Sequence, residues 1–252
     1  MPAIDLNADL AEHEVWTEDD AALLDHVTSA SLACGFHAGG AGVMRAAAAA
    51  CVERGVAIGA HVSYRDRDGF GRRDLDIGPD RLATDVVAQW EALVTEAAVV
   101  GGTVSFVKAH GALYSRMATD PEVAAVVVEA LAGRCGAVVA PPASAVATAA
   151  GAVGIRVVAE GFCDRGYDAR GLLVPRDRAG ARVEDPEEVG ARALALAVDR
   201  GVTSVDGSWV PLDVRTLCIH GDHPGAVSRA RAVRAALARA GVPVRSFVAD
   251  PW

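Results

Sequence analysis

The chain is 252 residues long, 52% hydrophobic yet only 5% aromatic, with a formal net charge of −9. That length can bury one large α/β core built from Ala, Val and Leu, as helices packed on a sheet would use. The acidic balance argues against a nucleic-acid partner, which needs a basic patch, and the apolar runs break too soon to span a membrane.

Ala3–Asp9 alternates Ile4, Leu6 and Ala8 against Asp5, Asn7 and Asp9. That period of two makes a strand with three polar groups on one face. Thr17, followed by Glu18, Asp19 and Asp20, is a capped helix start with acids in its first turn, and the helix is expected to reach about Val27. A strand over Ser29–Cys34 follows, then Gly35, a lone His37 and the glycines Gly39, Gly40 and Gly42 before an Ala-rich helix. Such glycines allow a sharp turn and close approach to a ligand, and the helix start offers free N–H groups. Val56–His61 is the third strand and ends in a second histidine. Beyond the polar loop Ser63–Asp74, Pro79 stands at a first helical position. Leu82, Val86, Trp90, Leu93 and Ala97 then recur at helical spacing up to Gly101.

Ser105–His110 is a fourth strand, on which Lys108 and His110 share a face. Asp120-Pro121-Glu122 opens the next helix, with Asp120 as its cap. Ala137–Pro141 reads as a fifth strand, Ser144–Ala150 as a short helix, and Arg156–Phe162 as a sixth strand carrying Glu160. Cys163 to Glu184 is a long polar loop, of a size that is usually functional. Asp185-Pro186 caps another helix, and Val202–Leu212, with Asp206-Gly207 inside it, reads as a small hairpin. Thr216–His220 is a seventh strand, with Asp222 two residues on. Pro224 starts the last helix, which ends at Gly241, and Val242–Val248 reads as a final short strand. With no flexible linker, residues 1–252 form one domain. Seven alternations of strand and helix predict a parallel β/α barrel, with an open parallel sheet as the alternative. Right-handed crossovers place every strand's C-terminal end on one rim.

Chemistry collects on that rim. His37, His61, His110 and His220 fall at or just beyond strand ends, whereas His13, His26 and His223 read as surface residues. One strand-end histidine is more often structural than catalytic; four on one rim reverse the odds. Asp5, Asn7, Asp9, Lys108, Glu160, Asp164, Arg165, Arg176 and Asp222 join them. Lys108, flanked by Val107 and Ala109, needs a carboxylate partner such as Asp5 or Asp9. Carboxylates, imidazoles and a cation together suit proton transfer at neutral pH. Asp9, His37 and His61 can also converge on a divalent metal, although no HxxxH or HExxH spacing fixes such a site. No GxxxxGK[ST] loop, GxGxxG turn or GxSxG elbow occurs. Five cysteines without a CxxC pair fit reduced thiols, and the N-terminal MPAIDLNADL does not read as a signal peptide; a cytoplasmic enzyme is expected.

The same stretches carry a family likeness. Asp5-Leu-Asn-Ala-Asp-Leu10, Ala33-Cys-Gly-Phe-His-Ala-Gly39, Gly59-Ala-His61, Gly69-Phe-Gly-Arg-Arg73 and His110-Gly-Ala-Leu-Tyr114 come in order. Glu160-Gly-Phe162, Asp164-Arg-Gly-Tyr167, Leu173-Val-Pro-Arg176 and Cys218-Ile-His-Gly-Asp222 complete the set. With these the chain resembles the LamB/YcsF family, the A subunits of bacterial 5-oxoprolinase. The resemblance implies a seven-stranded β/α barrel related to sugar deacetylases. It also implies ATP-dependent opening of 5-oxo-L-proline to L-glutamate, carried out with B and C subunits. A route through phosphorylation of the amide oxygen, then attack of water, would make this uphill hydrolysis feasible. Under the resemblance, Asp5, Asn7, Asp9, His37, His61, Lys108, His110, Glu160 and His220 are the candidate catalytic group. Arg73, Tyr114, Asp164, Arg165, Arg176 and Asp222 are the candidates for holding substrate, with Lys108, Arg165 or Arg176 on its carboxylate or phosphate.

Four departures stand out: Gly40 where the family has Asp, Ala11 within its DLGE motif, Ala109 after Lys108, and Val62 after His61. The first removes a carboxylate that would orient His37 or bind a ligand. Two other readings follow: a metal-dependent amide or N-acetyl hydrolase needing no ATP, and a non-catalytic subunit.

Overall fold

The inward-turning polar triplet of the first strand sets the architecture. In the computed structural model, which describes residues 2–249, β1 (Asp5–Leu10) is buried along its whole length. It pairs in parallel with β2 (Ser29–Ala33) on one side and with β9 (Thr216–His220) on the other. Between these run β3 (Ala57–Val62), β4 (Val104–Ala109), β5 (Ala137–Ala140) and β6 (Arg156–Phe162), and β6 pairs with β9 to close a seven-stranded parallel barrel. The remaining two strands, β7 (Gly201–Thr203) and β8 (Trp209–Pro211), form the expected antiparallel hairpin outside the barrel. Register places Asp9 beside Ser31 and His220, and His61 beside Lys108, so the chemistry lies in one layer near the C-terminal rim.

Helices cover the outside: α1 (Glu18–Leu24), α2 (Ala41–Arg54), α3 (Pro79–Val99), α4 (Gly111–Thr119), α5 (Pro121–Ala130), α6 (Ala145–Val153), α7 (Pro186–Leu194) and α8 (Ala226–Arg239). Their starts follow the local chemistry. Thr17 accepts from Asp20 N–H, Asp120 accepts from the Glu122 and Val123 N–H groups, and Asp185 accepts from Glu187 N–H. Three expectations change. Helix α1 stops at Leu24 rather than Val27. Helix α4, unforeseen, springs directly from the fourth strand and buries Leu113, Tyr114 and Met117; glycine at its first position hid that helical spacing. The final segment makes a single bridge, Ile4 to Val244, instead of a strand. Among the described residues no helix is long and apolar enough to cross a membrane.

Two apolar cores result. The larger fills the space between strands and helices, and a small one, Phe106, Ala137, Val139, Val158 and Phe247, fills the barrel on the β4–β6 side. Phe247 enters from the C-terminal segment and meets Phe106 edge-on, with 5.0 Å between ring centroids. Gly59 is dictated by this packing, because a Cβ there would lie inside the Phe106 ring's contact distance.

Candidate active site

Lys108 occupies the centre of the barrel mouth, almost wholly buried. Its Nζ donates to Asp9 Oδ1 at 2.8 Å and lies 2.8 Å from Glu160 Oε1, 3.1 Å from Cys218 Sγ and 3.3 Å from Asn7 Oδ1. Burial alone would release its proton, but the charges of Asp9 and Glu160 outweigh it and hold the ammonium well above its ordinary pKa. Asp9 responds in kind: burial would raise it, yet the His61 ring and Lys108 keep it well below the carboxylate range. Cys218, desolvated, stays a thiol despite the lysine. Asn7 donates to Glu160 Oε1 and Thr216 Oγ1, which fixes the amide orientation and ties β1 to β6 and β9. With its three N–H groups committed inside the protein, Lys108 positions carboxylates rather than holding a substrate anion.

Asp9 joins this cluster to a second one, since its Oδ2 lies 3.4 Å from His61 Nε2. Here His37, His61 and His110 surround Glu12, whose Oε1 is 3.2 Å from His37 Nε2, 3.2 Å from His110 Nδ1 and 3.8 Å from His61 Nε2. Burial favours the neutral form of His37 and His110 and pushes both below the ordinary histidine pKa. Glu12 is desolvated too, but the His110 and His37 rings beside it keep it well below the usual glutamate range. Local backbone builds this nest. Ala11 is held at φ 61°, a left-handed conformation costly for a residue with a Cβ, and that turn aims Glu12 back into the mouth. Gly71, at φ +67°, lets the Ser63–Asp74 loop close over the rings; a Cβ there would stand 2.9 Å from His37 Cβ and 3.0 Å from His110 Cδ2. Phe70, also at positive φ, packs edge-on against both rings.

On the far side, His220 Nδ1 donates to Asp164 Oδ1 at 2.9 Å, and the His220 backbone N–H donates to Asp164 Oδ2 at 2.9 Å. Phe162 stacks on the ring, with centroids 5.3 Å apart. This fixes the tautomer and leaves Nε2 for the cavity that His220 lines. The cavity measures about 460 Å³, and Leu173, Val174 and Arg176 of the long loop roof it opposite Lys108, Tyr114 and Glu160. Arg165 anchors that loop by donating to the Ala181 and Val174 carbonyls. Burial and the neighbouring Arg176 lower its pKa to about 10, and burial with Arg72 lowers that of Arg176. Three guanidiniums therefore crowd one wall, with Asp222 as the carboxylate that pairs with Arg72 and Arg176. The buried Tyr114 hydroxyl and Glu160 Oε2 have no hydrogen-bond partner among the described residues, and both residues line the cavity.

Most of the expected rim residues thus meet. Asp5 does not: it starts β1, so it lies at the opposite end of the barrel, where Thr28, Ser29 and Thr216 donate to its carboxylate. Arg73 turns outward onto Asp66, and its neighbour Arg72 lines the cavity instead. Lys108 pairs with Asp9 and Glu160, not Asp5. Of the expected Asp9, His37 and His61 metal set, His61 faces both Asp9 and Glu12, His37 and His61 gather with Glu12 and His110, and Asp9 also gathers with Cys218 and His220. Glu12, Arg72 and Cys218 escaped sequence reasoning. Glu12 sits past a turn that period-two counting cannot follow, whereas Cys218 lies two residues before His220 on the same inward face and was findable. His223, read as surface, is half-buried against Arg176.

A parallel β/α barrel whose C-terminal mouth gathers an oriented imidazole, buried carboxylates and an arginine wall is an enzyme-type barrel of the hydrolase kind. The description of the LamB/YcsF family matches residues 4–250, and the chain belongs to that family. It is 51% identical over 248 residues to the 5-oxoprolinase A subunit of Streptomyces griseus, covering 97% of this chain and 99% of the relative. The crystal structure of a lactam utilization protein from Thermus thermophilus superposes with a TM-score of 0.90 at 38% identity, over 97% of this chain and 100% of that one. A family 4 carbohydrate esterase from Streptomyces lividans shares the fold, with a TM-score of 0.55 at 11% identity, over 98% of this chain and 93% of that one.

Proposed function

We propose that the chain hydrolyses the lactam bond of 5-oxo-L-proline to give L-glutamate, driven by ATP, as the A component of a 5-oxoprolinase with B and C partner subunits. The observation that carries this reading is the pairing of an oriented base with an anion wall across one cavity. His220, held by Asp164, takes a proton from water at Nε2 as the water attacks the lactam carbonyl carbon. The Arg72, Arg165 and Arg176 wall takes the substrate's α-carboxylate and any phosphoryl group placed on the amide oxygen. Lys108 keeps Asp9 ionised and holds Asp9 and Glu160 in place beneath the reacting atoms, and the free Tyr114 hydroxyl donates to the carbonyl oxygen or ring nitrogen. When the C–N bond breaks, the nitrogen leaves as the amine of glutamate and takes up a proton.

ATP couples because an unactivated lactam is a poor electrophile and its hydrolysis is uphill; phosphorylation of the amide oxygen activates the carbon, C–N cleavage after the first water adds leaves a γ-acyl phosphate, and a second water releases phosphate and L-glutamate. The test is glutamate and ADP release from 5-oxoproline by the chain mixed with its partner subunits, with and without ATP. ATP-dependent release of both products in equal amounts is expected. Folded, assembled subunits that give no turnover would overturn the reading, and ATP-independent cleavage of amides or N-acetyl groups would replace it with a deacetylase-like hydrolase.

A further inference from the structure

The imidazole cluster poses a hydrogen-counting problem. His61 Nδ1 lies 3.1 Å from the Lys108 carbonyl oxygen, and His110 Nε2 lies 2.9 Å from the Phe70 carbonyl oxygen. A carbonyl only accepts, so both of those nitrogens carry hydrogen. Neutral rings then turn two lone pairs, His61 Nε2 and His110 Nδ1, toward each other at 3.0 Å, with the ring planes at 90°. Glu12 Oε1 adds a third acceptor, 3.2 Å from His110 Nδ1 and 3.8 Å from His61 Nε2. Ser63 Oγ donates to the Tyr64 carbonyl at 2.9 Å and therefore accepts from His37 Nδ1 at 3.0 Å, which leaves His37 Nε2 as another acceptor 3.2 Å from Glu12. Acceptors packed against acceptors repel unless a shared proton or a metal cation stands among them.

We propose that Glu12, His61 and His110, with His37 as a weaker fourth donor, hold one divalent transition-metal ion of the zinc class. Tetrahedral zinc with ligands at about 2.0–2.1 Å has donor–donor edges of about 3.3–3.4 Å. The three edges of the Glu12, His61 and His110 triangle, 3.2, 3.0 and 3.8 Å, bracket that value. The four side chains are buried, and their donor atoms all lie within 4.8 Å of one another. Each histidine is steered through its other nitrogen by a carbonyl or hydroxyl, the outer support that metal-binding imidazoles use. Three imidazoles favour a borderline metal over magnesium or calcium, which prefer oxygen. The His37 ring lies 4° from parallel to His110 at 3.9 Å between centroids, so its lone pair is offset from the common point. An ion there would set a Lewis acid in the wall of the cavity, which His61 and His110 line. The site stands whichever amide is cleaved.

The test uses the full chain, stripped with EDTA, dialysed, and titrated with Zn²⁺ alone and with Co²⁺ alone. One equivalent of zinc by elemental analysis is expected, together with the visible absorption of four-coordinate cobalt. Saturation at about 100 times Kd should raise the Tm by roughly 5–10 °C. Glu12→Gln, His61→Asn and His110→Asn should each weaken binding by more than the roughly 10–100-fold that loss of an outer partner costs. His37→Asn should weaken it less, and the exposed His13→Ala not at all. Folded wild-type chain that takes up neither ion at micromolar concentration would overturn the proposal, even if every variant misfolded. So would an equivalent that survives His110→Asn but is lost in Cys218→Ser, which would assign the ion to Asp9, Cys218 and His220.

Discussion

At the N-terminal end of the barrel, Asp5 is sealed among the hydroxyls of Thr28, Ser29 and Thr216, beside an aromatic plug of Phe106 and Phe247. At the C-terminal mouth, Asp9, on the same strand and the same inward face, meets an ammonium and an imidazole. Two carboxylates four residues apart therefore live under opposite electrostatics. Burial dominates at the floor and lifts Asp5 to about 6, whereas His61 and Lys108 outweigh burial at the mouth and drive Asp9 down. A buried acid without a cation is a structural group that holds its proton more tightly; a buried acid facing an ammonium is kept charged and ready for chemistry.

The strongest way to break this division is a matched pair of substitutions. His220→Ala at the mouth should cut kcat by about 10²–10⁴-fold, the usual worth of a positioned base. Its stability cost should stay near 1 kcal/mol, because Asp164 keeps the backbone N–H of residue 220. Phe106→Ala at the floor should do the reverse, costing about 3–5 kcal/mol of stability with kcat per folded molecule unchanged. Denaturant melts and initial rates on the assembled enzyme read both. A floor substitution that silences folded enzyme, or a His220 variant that keeps its rate, would dissolve the division.

A smaller effect sharpens it. Asp5 shifts from an ordinary 3.8 to about 6 on folding, so the native chain holds this proton more tightly than the unfolded one. The stability it contributes is complete below the unfolded value and is lost as pH rises through about 6. The loss is on the order of 3 kcal/mol, at 1.36 kcal/mol per pH unit. Urea unfolding at pH 4.5 and 7.5 should show about 2 kcal/mol of this fall in the wild type and a flatter profile in Asp5→Asn. Equal slopes for the two proteins would mean that the floor carboxylate is not desolvated.

The barrel was legible because most strands are short apolar or alternating runs, four of them ended by glycine or histidine, and each long helix carries a cap or a helical stripe. The rim histidines were legible for the same reason: a strand's end is fixed by the strand. Depth was not. Asp5 and Asp9 have the same parity, and period two reveals a shared face without revealing which end of it meets solvent. Arg72 and Arg73 likewise differ only in which side of a loop they leave, decided by Asp66 holding Arg73. Glu12 depends on the left-handed turn at Ala11, which no pattern of residue types announces.

Gly40 tests whether an acid at the mouth always belongs to the chemistry. The family's aspartate after Gly39 looked like a lost partner for His37, yet His37 already has its carboxylate in Glu12. Gly40 precedes the first turn of α2 in extended conformation, φ 176° and ψ 175°, with no side-chain capping bond, and a Cβ there would meet nothing within 4 Å. An aspartate at this position would accept from the N–H groups of the first helical turn, as N-cap residues do. It would also bring negative charge to the positive end of the helix. Gly40→Asp should therefore stabilise the chain by a few tenths of a kcal/mol, since glycine is itself a tolerated cap. Activity should stay unchanged, with thermal melting and rates measured side by side. A large gain in kcat would move position 40 into the catalytic mouth; a gain in Tm alone places the family's acid with the scaffold.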